Sequence, residues 1–135
     1  MSLTDPIADF LTRLRNAQRA RHEVVTTAYS IMNEEIAKIL KNQGFITEYK
    51  IITDPDHALM KTLEVTLRYS STMAPVIQDL SRISKPGRRQ YVTKDALEKQ
   101  LKTFVTTVVS TSKGVLTDRD AVAKNVGGEL ICRVS

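Results

Sequence analysis

The apolar positions near the start of the chain recur at helical spacing. One stripe is formed by Ile7, Phe10, Leu11 and Leu14, which follow the i, i+3, i+4, i+7 pattern of a helix packed on one side. The preceding residues, Thr4-Asp5-Pro6, supply a capping oxygen and a proline in the first turn. This combination is typical of a helix N-terminus, so the pattern predicts a first helix that begins near Pro6.

A second helix and a hairpin are predicted in the rest of the first half. Ser30 can cap a helix whose apolar positions keep helical spacing, and Gly44 stands where a helix C-terminus favours a left-handed residue. A β-branched run at residues 23–27 predicts a short strand before this helix. Residues 45–52 and the alternating run at 62–69 predict a hairpin. The first half is therefore predicted as α-β-α-β-β.

The second half of the chain is predicted to be mainly β. Residues 70–75 are polar and end in proline, which favours a linker. Strands are expected over residues 76–83, from Tyr91, over 104–109 and over 129–134, with two brief helices after Thr93 and Thr117. The expected fold class is α+β. An N-terminal α-β-α-β-β module of residues 1–70 is expected to pack on a C-terminal module of residues 71–135, whose strands are expected to be mostly antiparallel.

Length and composition narrow the class of protein. A chain of 135 residues suits one domain or two small modules. One cysteine excludes an internal disulfide framework and a multi-cysteine zinc site. No apolar run approaches the roughly 20 residues that cross a bilayer. The first residues lack the basic start and apolar stretch of a signal peptide. A cytoplasmic protein without membrane partners is expected.

Charge is distributed unevenly along the chain. The formal net charge is +5 and the isoelectric point is about 9.5. Residues 1–70 contain nine basic and nine acidic side chains, whereas residues 71–135 contain eleven and six. A positive field on one module steers polyanions toward it. Nucleic acid is the partner that this profile favours, and a surface that serves only solubility is the alternative.

The sequence contains one partial match to a catalytic motif. Ser110 and Lys113 fit the S-x-x-K spacing of some acylating enzymes, but the companion motifs are absent. His22 and His57 each stand alone in the sequence, so no metal site is expected. No glycine-rich nucleotide cradle is present, and no cofactor or small-molecule substrate is expected. A small serine acyltransferase built on Ser110 and Lys113 is kept as the alternative function, and an adaptor for an acidic protein as a third.

Three features of the second half converge on nucleic acid. Cations cluster around the turn at Pro86-Gly87, where phosphates would release condensed counterions: Arg82, Lys85, Arg88 and Arg89. Tyr91 follows and could stack on one exposed base or sugar. A run of small hydroxyls then suits ribose, phosphate and base edges: Ser110, Thr111 and Ser112, with Lys113 adding charge and Gly114 allowing close approach.

At these motifs the sequence resembles the bacterial small-subunit ribosomal protein eight family. The stretch 108–119 together with Gly127-Gly128-Glu129-Leu130-Ile131-Cys132 resembles the family signature. Residues 5–9, 11–13 and 15–17 resemble its N-terminus, and Ser84-Lys85-Pro86-Gly87-Arg88-Arg89 with Tyr91 resembles its basic loop. The resemblance spans essentially the whole chain in the expected order. At residues 103–105 the chain departs from the usual Gly-Leu-Gly of the family.

This resemblance implies a primary binder of small-subunit rRNA. The partners it implies are a helix in the central domain of that rRNA and neighbouring small-subunit ribosomal proteins. Some bacterial members also repress translation of their own operon, which makes that mRNA a further implied partner. The implied RNA-binding residues of the C-terminal module are Ser110, Thr111, Ser112, Lys113, Gly114, Tyr91, Gly128 and Glu129, with Lys85, Arg88 and Arg89 in the basic loop. Thr4, Asp5, Arg13 and Asn16 would face a second stretch of the same RNA.

Overall fold

The computed structural model describes residues 5–135, apart from the side chain of Ala58. Over these residues the chain forms four helices and eight strands, and all of the strand pairs are antiparallel. The predicted α+β class is therefore confirmed. The chain divides into two compact units: Pro6–Ile77, and Gln78–Ser135 together with Asp5.

The unit Pro6–Ile77 has the predicted α-β-α-β-β order. Its elements are α1 (Pro6–Arg19), β1 (Val24–Ala28), α2 (Ile31–Asn42), β2 (Ile46–Asp54) and β3 (His57–Leu67). The three strands form one sheet in the order β1-β3-β2. Both helices pack on this sheet: α1 contacts β1, and α2 contacts β2 and β3.

Local sequence signals account for the helices of this unit. Three of the four residues in the predicted stripe on α1 are buried, since Phe10, Leu11 and Leu14 are at most 1% exposed, and Ile7 is partly buried. Ser30 caps α2, because its Oγ accepts a hydrogen bond from the backbone N–H of Asn33 at 3.1 Å. Gly44 follows α2 with a φ of +83°, the left-handed conformation predicted for it.

The unit Gln78–Ser135 is built around one five-stranded sheet. Its elements are β4 (Leu80–Arg82), β5 (Tyr91–Val92), α3 (Lys94–Gln100), β6 (Thr106–Thr111), β7 (Gly114–Thr117), α4 (Asp118–Ala123) and β8 (Gly128–Val134). Strand β8 is central: it pairs with β6 on one side and with β4 and β5 in succession on the other. Strand β7 extends the sheet beyond β6.

One face of this sheet is covered by the two short helices. Thr93 and Thr117 cap α3 and α4, each accepting a hydrogen bond from the backbone N–H three residues on, as predicted. The core of this face joins Leu97 of α3 and Ala121 of α4 to Val109 and Leu130 of the sheet. The helices therefore leave the opposite face of β6 and β8 to other residues.

Three predictions in the second half need correction. The strand expected over residues 76–83 covers only Leu80–Arg82, because the N–H groups of Gln78 and Asp79 both donate to the carbonyl of Ser135. The strand expected over residues 104–109 is displaced to Thr106–Thr111, and Phe104 lies outside it, 86% exposed. Strand β7 was not predicted, since its four residues directly follow a tight turn.

Candidate nucleic-acid interface

The hydroxyl-rich run forms the end of the β6–β7 hairpin. We call residues 110–114 the hydroxyl turn. Ser112 and Lys113 lie between the two strands and are exposed. Thr111 closes the turn: its Oγ1 donates to the carbonyl of Gly114 at 2.7 Å and accepts from the N–H of Lys113 at 3.0 Å. Gly114 has a φ of +107°, which favours glycine. The turn therefore presents Ser112 on a backbone that Thr111 holds in place.

Cross-strand register places predicted site residues in one row. Tyr91 of β5 pairs with Glu129 of β8, Glu129 pairs with Ser110 of β6, and Ser110 pairs with Val115 of β7. Directly paired residues point to the same face of a sheet. Val109 and Leu130, their chain neighbours, face the helices, so this row lies on the face that α3 and α4 do not cover. Tyr91 is 71% exposed there, with its ring accessible for stacking.

The two consecutive glycines allow the strands to meet beside this row. A Cβ on Gly128 would overlap the carbonyl oxygen of Ser110, and a Cβ on Gly127 would overlap the carbonyl oxygen of Val92. Any other residue at position 128 would therefore push β8 away from the hydroxyl turn. Gly128 acts on the turn through backbone packing.

The basic loop, residues 85–89, is a tight turn anchored at its base. Lys85 and Arg88 exchange two backbone hydrogen bonds of 3.1 and 2.9 Å, which confirms the predicted turn at Pro86-Gly87. Arg89 Nη1 lies 3.1 Å from Glu129 Oε2, so the loop is tied to the row by an ion pair. The ion pair thus brings Arg89 of the basic loop onto the same surface as Tyr91, Glu129 and the hydroxyl turn.

The N-terminal candidates are placed differently. Arg13 and Asn16 are exposed on α1, and Arg13 Nε pairs with Asp9 at 2.9 Å. Asp5 forms an ion pair of 3.2 Å with Arg82, whose side chain is only 8% exposed, so its carboxylate is committed within the protein. Thr4 lies outside the described residues.

One contributing residue was not predicted, and one prediction needs correction. Ser84 is fully buried, accepting from the N–H of Gln90 at 2.8 Å and donating to its carbonyl at 3.2 Å, and so closes the base of the basic loop. A serine three residues before a Gly turn carries no distinctive signal. The grouping of Arg82 with the phosphate-binding cations around Pro86-Gly87 is wrong, because its side chain is only 8% exposed and pairs with Asp5. Arg82 instead donates to the carbonyl of Ile131 at 2.7 Å and holds β4 against β8.

The acyltransferase arrangement does not form. Lys113 Nζ donates to the carbonyl of Lys124 at 3.2 Å, at the end of α4 on the helix-covered side of the sheet. Ser110 lies on the other face. The ammonium group is therefore directed away from the serine hydroxyl that it would have to activate.

Two titratable side chains of this unit are buried, Cys132 and Asp118. Burial raises the pKa of the Cys132 thiol to about 12, which keeps it protonated and unreactive. Burial also raises the pKa of Asp118, although backbone N–H groups of Arg119 and Thr107 bond to its carboxylate and oppose the shift. Within residues 5–135, no set of three His, Cys, Asp or Glu side chains is grouped to hold a metal ion. None of the described helices is long and apolar enough to span a membrane.

Together the two α+β units and the exposed cationic, hydroxyl-rich surface define a polyanion-binding protein. Comparison with known proteins gives the family. The model of the family "Ribosomal protein S8" matches residues 5–135. The chain is 47% identical over 134 residues to small ribosomal subunit protein uS8 of Lacticaseibacillus casei, and 46% identical over 135 residues to that of Syntrophus aciditrophicus, with 99% of each chain covered.

The chain therefore belongs to the ribosomal protein S8 family, and the family resemblance seen in the sequence is confirmed. It is a structural protein of the ribosome, and the expectation that it is not an enzyme is confirmed by the family.

Proposed function

We propose that this ribosomal protein is a primary binder of the central domain of small-subunit rRNA. The observation that carries the proposal is the surface on which the hydroxyl turn, Tyr91 and Arg89 of the basic loop lie together. Ser112 offers a hydroxyl and Tyr91 an aromatic ring, while Arg88 and Arg89 supply charge. Hydroxyls, one stacking ring and phosphate-binding cations are the groups that read the shallow groove and backbone of RNA.

The proposal divides the chain into two modules. Residues 71–135 form the RNA-binding module, with the hydroxyl turn as the main contact and Gly128-Glu129 at its border. Residues 1–70 form the N-terminal α/β module, whose Arg13 and Asn16 face a second stretch of the same RNA. The exposure of both side chains on α1 supports this contact. Asp5 contributes through Arg82, with which it is paired.

Further partners follow from the family. Neighbouring proteins of the small subunit would contact the chain in the assembled particle. The mRNA of the protein's own operon would bind the same surface when it folds like the rRNA site, and translation would then be repressed. Because both RNAs would use one surface, they would compete for it.

Substitution of Ser112 tests the RNA surface. Ser112→Ala is expected to weaken binding to the cognate rRNA fragment by about 1 kcal/mol, the range for one lost hydrogen bond. Thr53→Ala is the matched control, since Thr53 also carries an exposed hydroxyl but lies in the N-terminal module and in the other unit. An unchanged dissociation constant for Ser112→Ala, with folding confirmed by circular dichroism, would remove Ser112 from the site. Competition between the rRNA fragment and the operon mRNA would test the shared surface.

A further inference from the structure

Two polar clefts in the unit Gln78–Ser135 meet at Arg133. The first has a volume of about 380 Å³ and its polar lining consists of Ser81, Arg82, Lys85, Arg88, Gln90 and Arg133. The second has a volume of about 350 Å³ and its polar lining consists of Lys99, Gln100, Lys102, Thr107, Asp118 and Arg133. We call the two together the double cleft. Because Arg133 lines both, they form neighbouring parts of one surface.

Strand register separates Arg133 from the hydroxyl turn. Arg133 pairs with Thr107 of β6, two residues before Val109, which packs against the helices. Since alternate residues of a strand share a face, Arg133 and Thr107 lie on the helix-covered face. Ser110 and Glu129 lie on the opposite face. The double cleft is therefore distinct from the RNA surface proposed above, although the basic loop borders both.

Cations outnumber carboxylates in the lining of the double cleft. Five exposed side chains carry its charge: Lys85, Arg88, Lys99, Lys102 and Arg133. In the described part of the chain, none of them is within ion-pair distance of a carboxylate, whereas Arg89 and Lys94 are both paired. Asp118, the carboxylate in the second cleft, is 3% exposed, and backbone N–H groups bond to it. An external polyanion would relieve the repulsion among these cations.

The lining favours a phosphate backbone over an acidic peptide. Between the cations lie amides and a hydroxyl, Gln90, Gln100 and Ser81, which can bond to phosphate and ribose oxygens. The guanidinium groups of Arg88 and Arg133 present paired N–H donors that fit phosphate oxygens. A docked protein segment is normally anchored by apolar or aromatic side chains in buried pockets, and each cleft has a single aliphatic lining residue, Ile83 or Val105.

We infer that the double cleft binds the phosphate backbone of a further RNA segment, separate from the segment held by the hydroxyl turn and from the stretch that faces Arg13 and Asn16. This inference rests on the proposed RNA-binding function and extends it. The protein would then bind two segments of rRNA on opposite faces of one sheet. Arg133, at the junction of the two clefts, would contribute to binding in both clefts.

A triple variant tests this inference. Lys99→Gln, Lys102→Gln and Arg133→Gln together remove three exposed charges from the double cleft and leave the hydroxyl turn intact. The matched control is Lys38→Gln, Lys50→Gln and Lys61→Gln, which removes the same charge from the other unit. Circular dichroism and urea unfolding check that each variant folds. The readouts are hydroxyl-radical footprinting on complete small-subunit rRNA and the salt dependence of binding.

The triple variant is expected to lose protection of one rRNA segment while keeping the segment that Ser112→Ala weakens. Its slope of log affinity against log salt should fall by about 2.7, or about 0.9 for each lost phosphate contact. An unchanged footprint and slope would overturn the inference, and so would an equal effect of the control. Loss of binding to fluorescent polyglutamate with an intact rRNA footprint would overturn the RNA assignment in favour of an acidic protein. Failure of the proposed function would show separately, as a footprint that Ser112→Ala leaves unchanged.

Discussion

Gly128 of β8 approaches Ser110 of β6 so closely that a methyl group on Gly128 would overlap the carbonyl oxygen of Ser110. The register places Gly128 opposite Thr111, the residue that closes the hydroxyl turn. Strand pairing at this point therefore depends on the absence of a side chain on β8. The position of the proposed RNA contact depends on the same pairing.

Gly128→Ala is expected to lower the free energy of unfolding by about 1–3 kcal/mol, because the added methyl group must displace the backbone of β6. Gly87→Ala is the matched control, since a Cβ on Gly87 has no neighbouring atom within 4 Å. Urea unfolding of both variants measures the difference. Equal stability of Gly128→Ala and Gly87→Ala would show that the sheet adjusts without cost.

Removing the charges of the basic loop should flatten the salt dependence of RNA binding. Arg88→Ala with Arg89→Ala is expected to lower the slope of log affinity against log salt by nearly two, if each guanidinium neutralises one phosphate. Arg89 must first leave Glu129, with which it is paired at 3.1 Å. Lys38→Ala with Lys50→Ala removes equal charge from the other unit as a control. Identical slopes for wild type and the loop variant would mean that the basic loop is only a solvated surface and does not contact phosphates.

Asp118 should make stability depend on pH. Burial raises its pKa above the ordinary value of 3.8, so folding favours the protonated form. This contribution to stability is present below about pH 3.8 and is lost as the pH rises through the raised pKa. Asp118→Asn should therefore gain stability relative to wild type as the pH rises above 3.8. Urea unfolding at a series of pH values from 3.8 upward measures the gain. Asp56→Asn, which removes an exposed carboxylate from the other unit, is the control, and parallel curves for wild type and Asp118→Asn would contradict the prediction.

Cys132 is expected to be inert in the folded protein. It is fully buried, and burial raises its pKa to about 12, so the reactive thiolate is scarce at neutral pH. An aromatic disulfide reagent should react with it only after urea unfolding, at the rate of a free thiol. Rapid reaction without urea would mean that β8 opens readily.

The local elements of the fold were largely predictable from the sequence. The stripe on α1, the caps at Ser30, Thr93 and Thr117, and the left-handed Gly44 all appear as predicted. Each depends on groups within about one helical turn of one another, so residue spacing carries the information.

The candidate site was predictable as residues but not as an arrangement. The hydroxyl run, the basic loop and Tyr91 stand out in the sequence. The sequence does not show that Tyr91 pairs with Glu129. Nor does it show that Lys113 and Ser110 lie on different sides of the sheet. Pairing between distant strands depends on which apolar faces can be buried together, and that information is spread over the whole unit.

The sequence by itself therefore determined where helices begin and end and which side chains are candidates for an RNA contact. Only the tertiary structure decided which of those side chains share a surface. The physical reason is the separation, along the chain, of the residues that interact. A helix cap or an apolar stripe involves residues that are close together in the sequence. By contrast, β8 acquires β4, β5 and β6 as partners only when the sheet packs on Leu97 and Ala121. That packing also places Arg133 on the face opposite Ser110.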